Sequence, residues 1–456
     1  MRNSKTGKES VKLRQLDRHP VLLKLSLDKL IQFLFLGTLF FLVIFCWKSI
    51  QGFRFNSLAS PLSLALAAYC SALILRFKIQ VTQQTIVLYL MWAAWIVYVD
   101  AISGDFLAAF ARDTHWLILP IFITLIAELV RLQPITPRIF RLSAAFSIVL
   151  ILIYYLENAE WVFEWKYAPV FGNIRHFSLT MGVFTVLLYD RSETGKYEKV
   201  FLKVVRVIGL AMLFWSGSRG PILAWLLSLF LYLKIWPNSN YFKGTIIEIS
   251  AALVLAIIFD VGNASMGVWN AFFRSAQSES LDALSSSRIQ IWKSTIDALV
   301  SRHLLLTGAG GNGFIRMHLP LDGQMAQPHN VAIQILSDWG LVGLFLSVLF
   351  GAGTILKALI SPPLSSHGAV ARAVVLYIFV SSLFDAAMYH LEHLIYLSIA
   401  LGVILSEQQE NKSGARFGCV FLLLFGLFST LHLSLLDYRV SIAPQKPIKA
   451  PLIHAR

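Results

Sequence analysis

The stretch VAIQILSDWGLVGLFLSVLF at residues 331–350 opens an apolar run that continues to about residue 357. A helix needs about 20 predominantly apolar residues to cross the roughly 30 Å hydrocarbon core of a membrane. Similar runs occur along the whole chain, at about 31–47, 58–77, 83–100, 114–130, 142–156, 177–189, 200–215, 221–236, 245–262, 331–357, 371–388, 391–406 and 417–435. The sequence therefore predicts an all-α, polytopic integral membrane protein with about 12 transmembrane helices (12–13).

The composition agrees with a chain that lies mostly in a membrane. Hydrophobic residues make up 57% of the 456 residues and charged residues only 14%, whereas soluble domains carry about 25% charged residues. This balance excludes a water-soluble enzyme. The three cysteines, Cys46, Cys70 and Cys419, all lie in apolar runs, so the sequence predicts neither a disulfide framework nor a metal cluster.

The distribution of basic residues predicts how the chain is oriented. The net charge is +14, but the basic residues do not form the continuous stripe that nucleic-acid binding requires. They precede the first apolar run and fill two later loops, 131–141 and 190–206. This is the positive-inside pattern of a membrane protein. We therefore expect contacts with membrane lipids and no nucleic-acid partner.

Counting spans from a cytoplasmic N-terminus places residue 263 on the outer side, after about nine crossings. Residues 263–329 form the one long polar excursion of the sequence, where a functional loop is expected. The predicted organisation is a basic cytoplasmic segment at 1–30, a membrane bundle at 31–262, an external catalytic loop with short helices at 263–330, a second membrane bundle at 331–436, and a C-terminal tail at 437–456.

The motif SGSRG at residues 216–220 joins two apolar runs at the predicted outer surface. Gly217 and Gly220 favour a tight turn between helices. Placing an arginine at the membrane surface costs free energy, which a simple connector between helices does not require. Arg219 is therefore a candidate ligand for an anion. The alternative is an arginine that only extends its charged end into water.

The segment SSSRIQIWKSTIDALV at residues 285–300 predicts an amphipathic helix lying on the membrane, with Ile289, Trp292, Ile296 and Leu299 on one face. Arg288 in its first turn opposes the helix dipole, which favours an anion at that end. A helix N-terminus together with an arginine would suit a bound diphosphate. A solvated arginine at the interface is the alternative.

Further candidates surround this helix in sequence. TGAGGNGF at 307–314 fits a dinucleotide-binding pattern by spacing alone, without the strand and βαβ unit that such a site needs. It is therefore either a turn or a nest of amides, from Gly310 and Gly311, that binds phosphate. The motif PHN at 328–330 offers His329 as a general base that nearby arginines would keep neutral. We also expect Asn330, Arg175 and His176 to contribute to substrate binding.

These motifs, in this order, resemble the O-antigen ligase and O-antigen polymerase superfamily of membrane glycosyltransferases. The resemblance covers about residues 205–355. It implies a bacterial inner-membrane protein of GT-C-like type whose active site faces the periplasm. It also implies a donor glycan carried on undecaprenyl diphosphate, and transfer without cofactor or metal. Arg219 and Arg288 would then bind the diphosphate, and His329 would activate the acceptor hydroxyl with inversion at the sugar.

Among the members of this superfamily, the resemblance favours an O-antigen ligase, with the lipid A–core oligosaccharide as the acceptor in lipopolysaccharide biosynthesis. An O-antigen polymerase that extends lipid-linked repeats is the alternative. A transporter of lipid-linked glycans would also need arginines for diphosphate. It would place polar residues throughout its spans, whereas the sequence favours their concentration at one outer face.

Overall fold

A computed structural model describes the helical bundle and part of the predicted external loop. The described residues are 37, 80–81, 83–132, 136–157, 174–190, 195–237, 239–259, 287–317, 319, 327–385, 387–408 and 415–416. The predicted spans at 58–77 and 417–435, nearly all of 31–47, and much of the predicted loop lie outside these ranges.

The described residues are almost entirely helical. The helices are α1 (Gln83–Ile102), α2 (Phe106–Leu132), α3 (Thr136–Glu157), α4 (Ile174–Leu187), α5 (Lys196–Trp215), α6 (Arg219–Ile235), α7 (Ser239–Phe259), α8 (Arg288–Ser301), α9 (Gly313–Arg316), α10 (Val331–Ser347), α11 (Gly353–Ile360), α12 (Ser366–Phe384) and α13 (Leu391–Gln408). A π-helical segment, Val348–Ala352, joins α10 to α11, and a 3₁₀ turn, Ala387–Tyr389, precedes α13. Two short strands, β1 (Gln80–Val81) and β2 (Ala415–Arg416), pair antiparallel.

Five stretches of the described chain are long and apolar enough to cross a membrane, which confirms a multi-pass membrane protein. They are Gln83–Ile102, Phe106–Thr124, Thr136–Leu156, Val331–Ile360 and Ser366–Phe384. Two shorter apolar helices, Ile174–Leu187 and His393–Glu407, lie among them. The total of about 12 spans stays a prediction.

Aromatic side chains pack the core between α1, α2 and α10. The indole of Trp339 is completely buried. Trp92 and Trp116 meet it edge-on, with ring centroids at 5.8 and 5.7 Å. Such T-shaped pairs add stability beyond the area that they bury, so this contact fixes α10 against the first two helices.

Ion pairs join the helices at the end of the bundle that carries the basic loops. Arg141 of α3 contacts both Asp190, at 3.4 Å, and Glu198 of α5, at 3.0 Å. His367 at the start of α12 bonds to Asp190 through Nδ1, at 2.5 Å. Helices α3, α5 and α12 are therefore tied together at this end, and we call these residues the basic-end cluster.

Helix α10 is broken near its middle. Gly340 has φ 67° and ψ −170°, outside the helical region. The segment that follows α8 fills the break, because the carbonyls of Leu305 and Leu306 accept hydrogen bonds from the amides of Leu341 and Val342. The span predicted as continuous from 331 to 357 is therefore two helical pieces joined at a glycine.

Gly308 lies where this segment crosses the break, and replacing it with alanine is expected to destabilise the protein. Its φ is +73°, and an added Cβ would collide with the backbone of Asp338 and Gly340. Strained backbone of this kind costs about 1–3 kcal/mol, before the collision is counted. Thermal unfolding in detergent should show a lower melting temperature for Gly308→Ala. Gly353→Ala, in open space on α11, is the control, and equal losses for the two variants would contradict the explanation.

Candidate active site

The side chains of three arginines, one histidine and one aspartate meet at the end of the bundle opposite the basic-end cluster. Helix direction explains this placement, since α4, α6, α8 and α10 begin at this end and α12 finishes there. The five residues are Arg175, Arg219, Arg288, His329 and Asp385. The structure thus brings together four residues that the sequence proposed and one that it did not.

His329 lies at the centre of this group. Its Nδ1 is 2.9 Å from Oδ1 of Asp385, and its Nε2 is 3.2 Å from Nη1 of Arg175. An arginine can only donate and a carboxylate can only accept. The two contacts therefore assign the neutral tautomer, with the proton on Nδ1 and the lone pair on Nε2.

The backbone of His329 is unusual for a residue with a side chain. Its φ is +55°, in the left-handed region. This conformation is uncommon outside glycine and is found most often where function requires a particular side-chain direction. The side chain is 16% exposed, so the imidazole remains partly open to a substrate.

Asp385 is the first residue after α12 and is almost fully buried. Burial raises the pKa of Asp385, but the hydrogen bond from His329, helped by the positive charge of Arg175, outweighs burial and lowers that pKa to about 2. Asp385 is therefore a carboxylate at neutral pH. It holds the Nδ1 proton of His329 in place.

Arg288 opens α8 and is half-buried beside the other two arginines. Burial lowers the pKa of Arg288, and the positive charges of Arg175 and Arg219 act in the same direction. Its Nε atom has no hydrogen-bond partner among the described residues. Among the described residues, three guanidinium groups thus lie beside one carboxylate, and this balance of positive charge suits a multivalent anion.

The contacts of Trp292, one turn after Arg288, account for the four-residue spacing between the arginine and the tryptophan of the SSSRIQIW motif. Its indole Nε1 donates to the carbonyl of Pro328 at 2.8 Å. Residues four apart lie on the same helical face. Helix α8 therefore holds the loop before α10 with Trp292 while it places Arg288 near Asp385 and the other two arginines.

A comparison with protein families finds a match, which covers part of this arrangement. Residues 204–348 match the O-antigen ligase family. The resemblance that the sequence motifs indicate is thereby confirmed. No curated protein matches the chain. We call residues 204–348 the ligase-family segment. The match supports a membrane glycosyltransferase with O-antigen ligase- or polymerase-like activity.

The ligase-family segment contains Arg219, Arg288 and His329 but neither Arg175 nor Asp385. The two hydrogen-bond partners of the imidazole therefore come from helices outside it. Asp385 is the residue that sequence reasoning missed. A signal was present, because an ionisable residue within a predicted apolar run, here 371–388, often marks a functional site.

The glycine motif does not form the expected phosphate nest. The amide of Gly310 donates to the carbonyl of Asp338 at 2.8 Å, and that of Gly311 donates to Oδ1 of Asp100 at 3.0 Å. An amide has one hydrogen to give, so neither is open to phosphate. The two glycines attach the loop to the bundle instead, where a side chain would collide with Ser103 or Ala109.

The side chain of Asn330 positions the loop of His329. Its Oδ1 caps α10 by accepting from the amides of Ala332 and Ile333, and its Nδ2 donates to the carbonyl of Leu383 at 3.0 Å. The side chain thereby fixes the loop of His329 against the end of α12. The expected contact of Asn330 with a substrate stays a prediction.

His176 lies beside the group rather than in its opening. Its ring is 93% buried and meets the ring of His390 edge-on, with centroids 3.9 Å apart. It also lies close enough to Asp385 to lower the pKa of that carboxyl. His176 thus belongs to the packing behind the catalytic candidates.

The exposed face of α8 also differs from the prediction. Ile289 and Ile296 are exposed, whereas Leu299 is buried together with Ile291 and Thr295. The four apolar residues expected on one face are thus divided between two. The helix packs on the bundle through one side and leaves two isoleucines on the other.

Proposed function

We propose that the protein is an O-antigen ligase that transfers a glycan from undecaprenyl diphosphate to a hydroxyl of the lipid A–core oligosaccharide. The observation that carries the proposal is the group of three arginines around a partly buried histidine–aspartate pair. An anion site beside a general base is what transfer from a diphosphate to a hydroxyl requires. The family match over residues 204–348 supports the same reaction class.

Arg219 and Arg288 would bind the diphosphate of the donor. When the bond between the anomeric carbon and the diphosphate breaks, its electron pair leaves with the diphosphate. Fixed guanidinium groups in a partly buried site stabilise the negative charge that develops there. The donor is already activated, so the reaction as proposed needs no nucleotide or metal.

His329 would take the proton of the acceptor hydroxyl through Nε2. The hydroxyl oxygen then attacks the anomeric carbon from the face opposite the diphosphate, so the configuration at that carbon inverts. Asp385 keeps the Nδ1 proton in place and stabilises the imidazolium that results. The new glycosidic bond, the released diphosphate and the protonated His329 balance the step.

Arg175 would link donor binding to the activation of His329. Without a substrate its guanidinium donates to Nε2, the atom that must accept the proton. A diphosphate is a stronger acceptor than a neutral imidazole, because both partners of the bond are then charged. We infer that the donor draws Arg175 away from His329 and frees the lone pair for the acceptor.

The charge distribution supports an active site on the periplasmic side. Basic loops remain in the cytoplasm in most membrane proteins, and the basic-end cluster lies at the opposite end of α4, α5 and α12 from His329. On this proposal the described part of the predicted loop, from residue 287, stands over the membrane bundle in the periplasm of an inner-membrane protein.

Deletion and complementation in a cell that makes lipopolysaccharide test the proposal. Loss of the lipopolysaccharide ladder, with polymer accumulating on undecaprenyl diphosphate, is expected for a ligase. Loss of polymer with single repeats still transferred would assign a polymerase instead. Retention of both the ladder and the normal lipid-linked pool would contradict both activities.

Replacing Arg288 with lysine is expected to lower transfer by about 10- to 100-fold. The lysine keeps the charge but loses the planar fork that binds two phosphate oxygens, and hydrogen bonds to charged groups are worth about 1.5–3 kcal/mol. The loss should appear mainly as a higher KM for the lipid-linked donor. Arg302→Lys, on the exposed far end of the same helix, is the control. An unchanged KM for Arg288→Lys would remove this residue from the donor site.

A further inference from the structure

Two carboxyl groups meet inside the bundle, away from the proposed active site. Asp100 lies near the end of α1 and Asp113 lies within α2, and both are 0% exposed. The two side chains lie against each other. Two ionised carboxylates have four acceptor oxygens and no donor between them, so such a contact needs a hydrogen.

The remaining contacts show which atoms face each other. Oδ1 of Asp100 accepts from the amide of Gly311 at 3.0 Å, and Oδ2 of Asp113 accepts from Nε1 of Trp339 at 2.5 Å. Oδ2 of Asp100 and Oδ1 of Asp113 find no donor among the described residues. These two oxygens are left for the bond between the carboxyl groups.

The surrounding charges do not compensate two negative groups at this position. A third buried carboxylate, Asp338, lies nearby. Two arginines lie near these groups. Arg316 acts on Asp100 and donates to the carbonyls of Ala309 and Asp105. Arg112 acts on Asp338 and donates to the carbonyl of Tyr389, so that among the described residues two cations face three carboxyl groups. Ionising both members of a buried carboxyl pair is costly, and pairs of this kind retain one proton between them.

We propose that Asp100 and Asp113 share one proton, and that the resulting pair fastens the glycine loop to α1 and α2. Asp100 holds the loop through Gly311, Asp113 holds the broken helix α10 through Trp339, and the proton joins the two. The loop lies between Arg288 and His329 in sequence. The pair therefore stabilises the scaffold of the site without touching a substrate, whatever reaction the site performs.

Isosteric amides test the shared proton, because an amide can replace a protonated carboxyl group. In Asp113→Asn the amide oxygen can accept from Trp339 while the NH₂ group donates to Asp100. The melting temperature in detergent is expected to stay close to that of the wild type. Asp113→Ala, which leaves the carboxylate of Asp100 buried without its partner, is expected to lower it by several degrees.

Asp338→Asn is the matched control. The oxygens of Asp338 accept from the amide of Gly313, the hydroxyls of Ser337 and Tyr389 and the side-chain amide of Gln334. An NH₂ group in place of Oδ2 would require both Tyr389 and Gln334 to reverse the direction of their hydrogen bonds, so this variant is expected to be destabilised more than Asp113→Asn. Equal destabilisation of Asp113→Asn and Asp338→Asn would overturn the proposal.

Infrared spectroscopy gives a second, independent measurement. The wild type is expected to show the carbonyl band of a protonated carboxyl group, and Asp113→Asn is expected to lose it. Absence of the band in the wild type would also overturn the proposal, most directly if the melting temperature instead rose with sodium concentration. That result would assign the bridge to a bound cation.

Discussion

Replacement of His329 with alanine is expected to reduce glycan transfer by about 10²- to 10⁴-fold, the usual contribution of a general base. The variant should still accumulate in the membrane, because the imidazole is partly exposed and packs at the edge of the bundle rather than in its core. Transfer measured with purified protein and a lipid-linked donor, normalised to folded protein, gives the ratio.

His303→Ala is the control for this experiment. His303 also lies in the predicted external loop and also has a positive φ, 57°, but its side chain is exposed. The backbone strain that alanine introduces is therefore similar in the two variants. Full activity of His329→Ala at normal abundance would remove the general-base assignment.

Asp385→Asn is expected to reduce transfer by about 10²- to 10⁴-fold while leaving donor binding nearly intact. Asparagine has the same shape but carries an NH₂ group, which can donate to Nδ1. The histidine proton would then move to Nε2, the atom that must accept from the hydroxyl, so the base is in the wrong tautomer. A lower kcat with an unchanged KM for the donor is the expected pattern.

The acidity of Asp385 adds a pH prediction to the same experiment. Its pKa is lowered to about 2 in the folded protein, against about 3.9 in an unfolded chain. The stabilisation by this carboxylate is thus fully present above about pH 4 and is lost only as the pH falls towards 2. Thermal unfolding followed from neutral to acidic pH should show this loss in the wild type and not in Asp385→Asn.

A second histidine–aspartate pair at the opposite end of α12 supplies the control for Asp385→Asn. Asp190→Asn alters the contact of His367 and one contact of Arg141 in the basic-end cluster. This variant should lower thermal stability but leave the kcat of the folded protein unchanged. Equal losses of kcat in the two variants would mean that Asp385 acts through folding alone.

The sequence was sufficient to predict the membrane class and most of the site. Apolar runs of membrane-crossing length depend on composition alone, and they identified the helices. The ligase-family segment contains Arg219, Arg288 and His329 in this order, so the motifs that carry them could be recognised without a structure. Arg175 was proposed as a substrate ligand, and the structure adds its contact with His329.

The rest depended on contacts between distant parts of the chain. The partnership of Asp385 with His329 joins residues 56 positions apart, which no local pattern reveals. The spacing of Gly310 and Gly311 suggested a phosphate nest. That spacing could not show that Asp100, more than 200 residues earlier, accepts the hydrogen bond of the Gly311 amide. The buried aspartates of α1, α2 and α10 also weaken the sequence argument that charges are concentrated at one outer face.

The wide separation of the site residues has a consequence for synthesis in the cell. Arg175 donates to a histidine 154 residues later in the chain, and that histidine needs an aspartate a further 56 residues on. The ribosome delivers these segments in order, and α12 is among the last of the described helices. An incompletely inserted chain therefore lacks an oriented base. Such a chain would not activate water, so it would not hydrolyse a lipid-linked donor that binds to it.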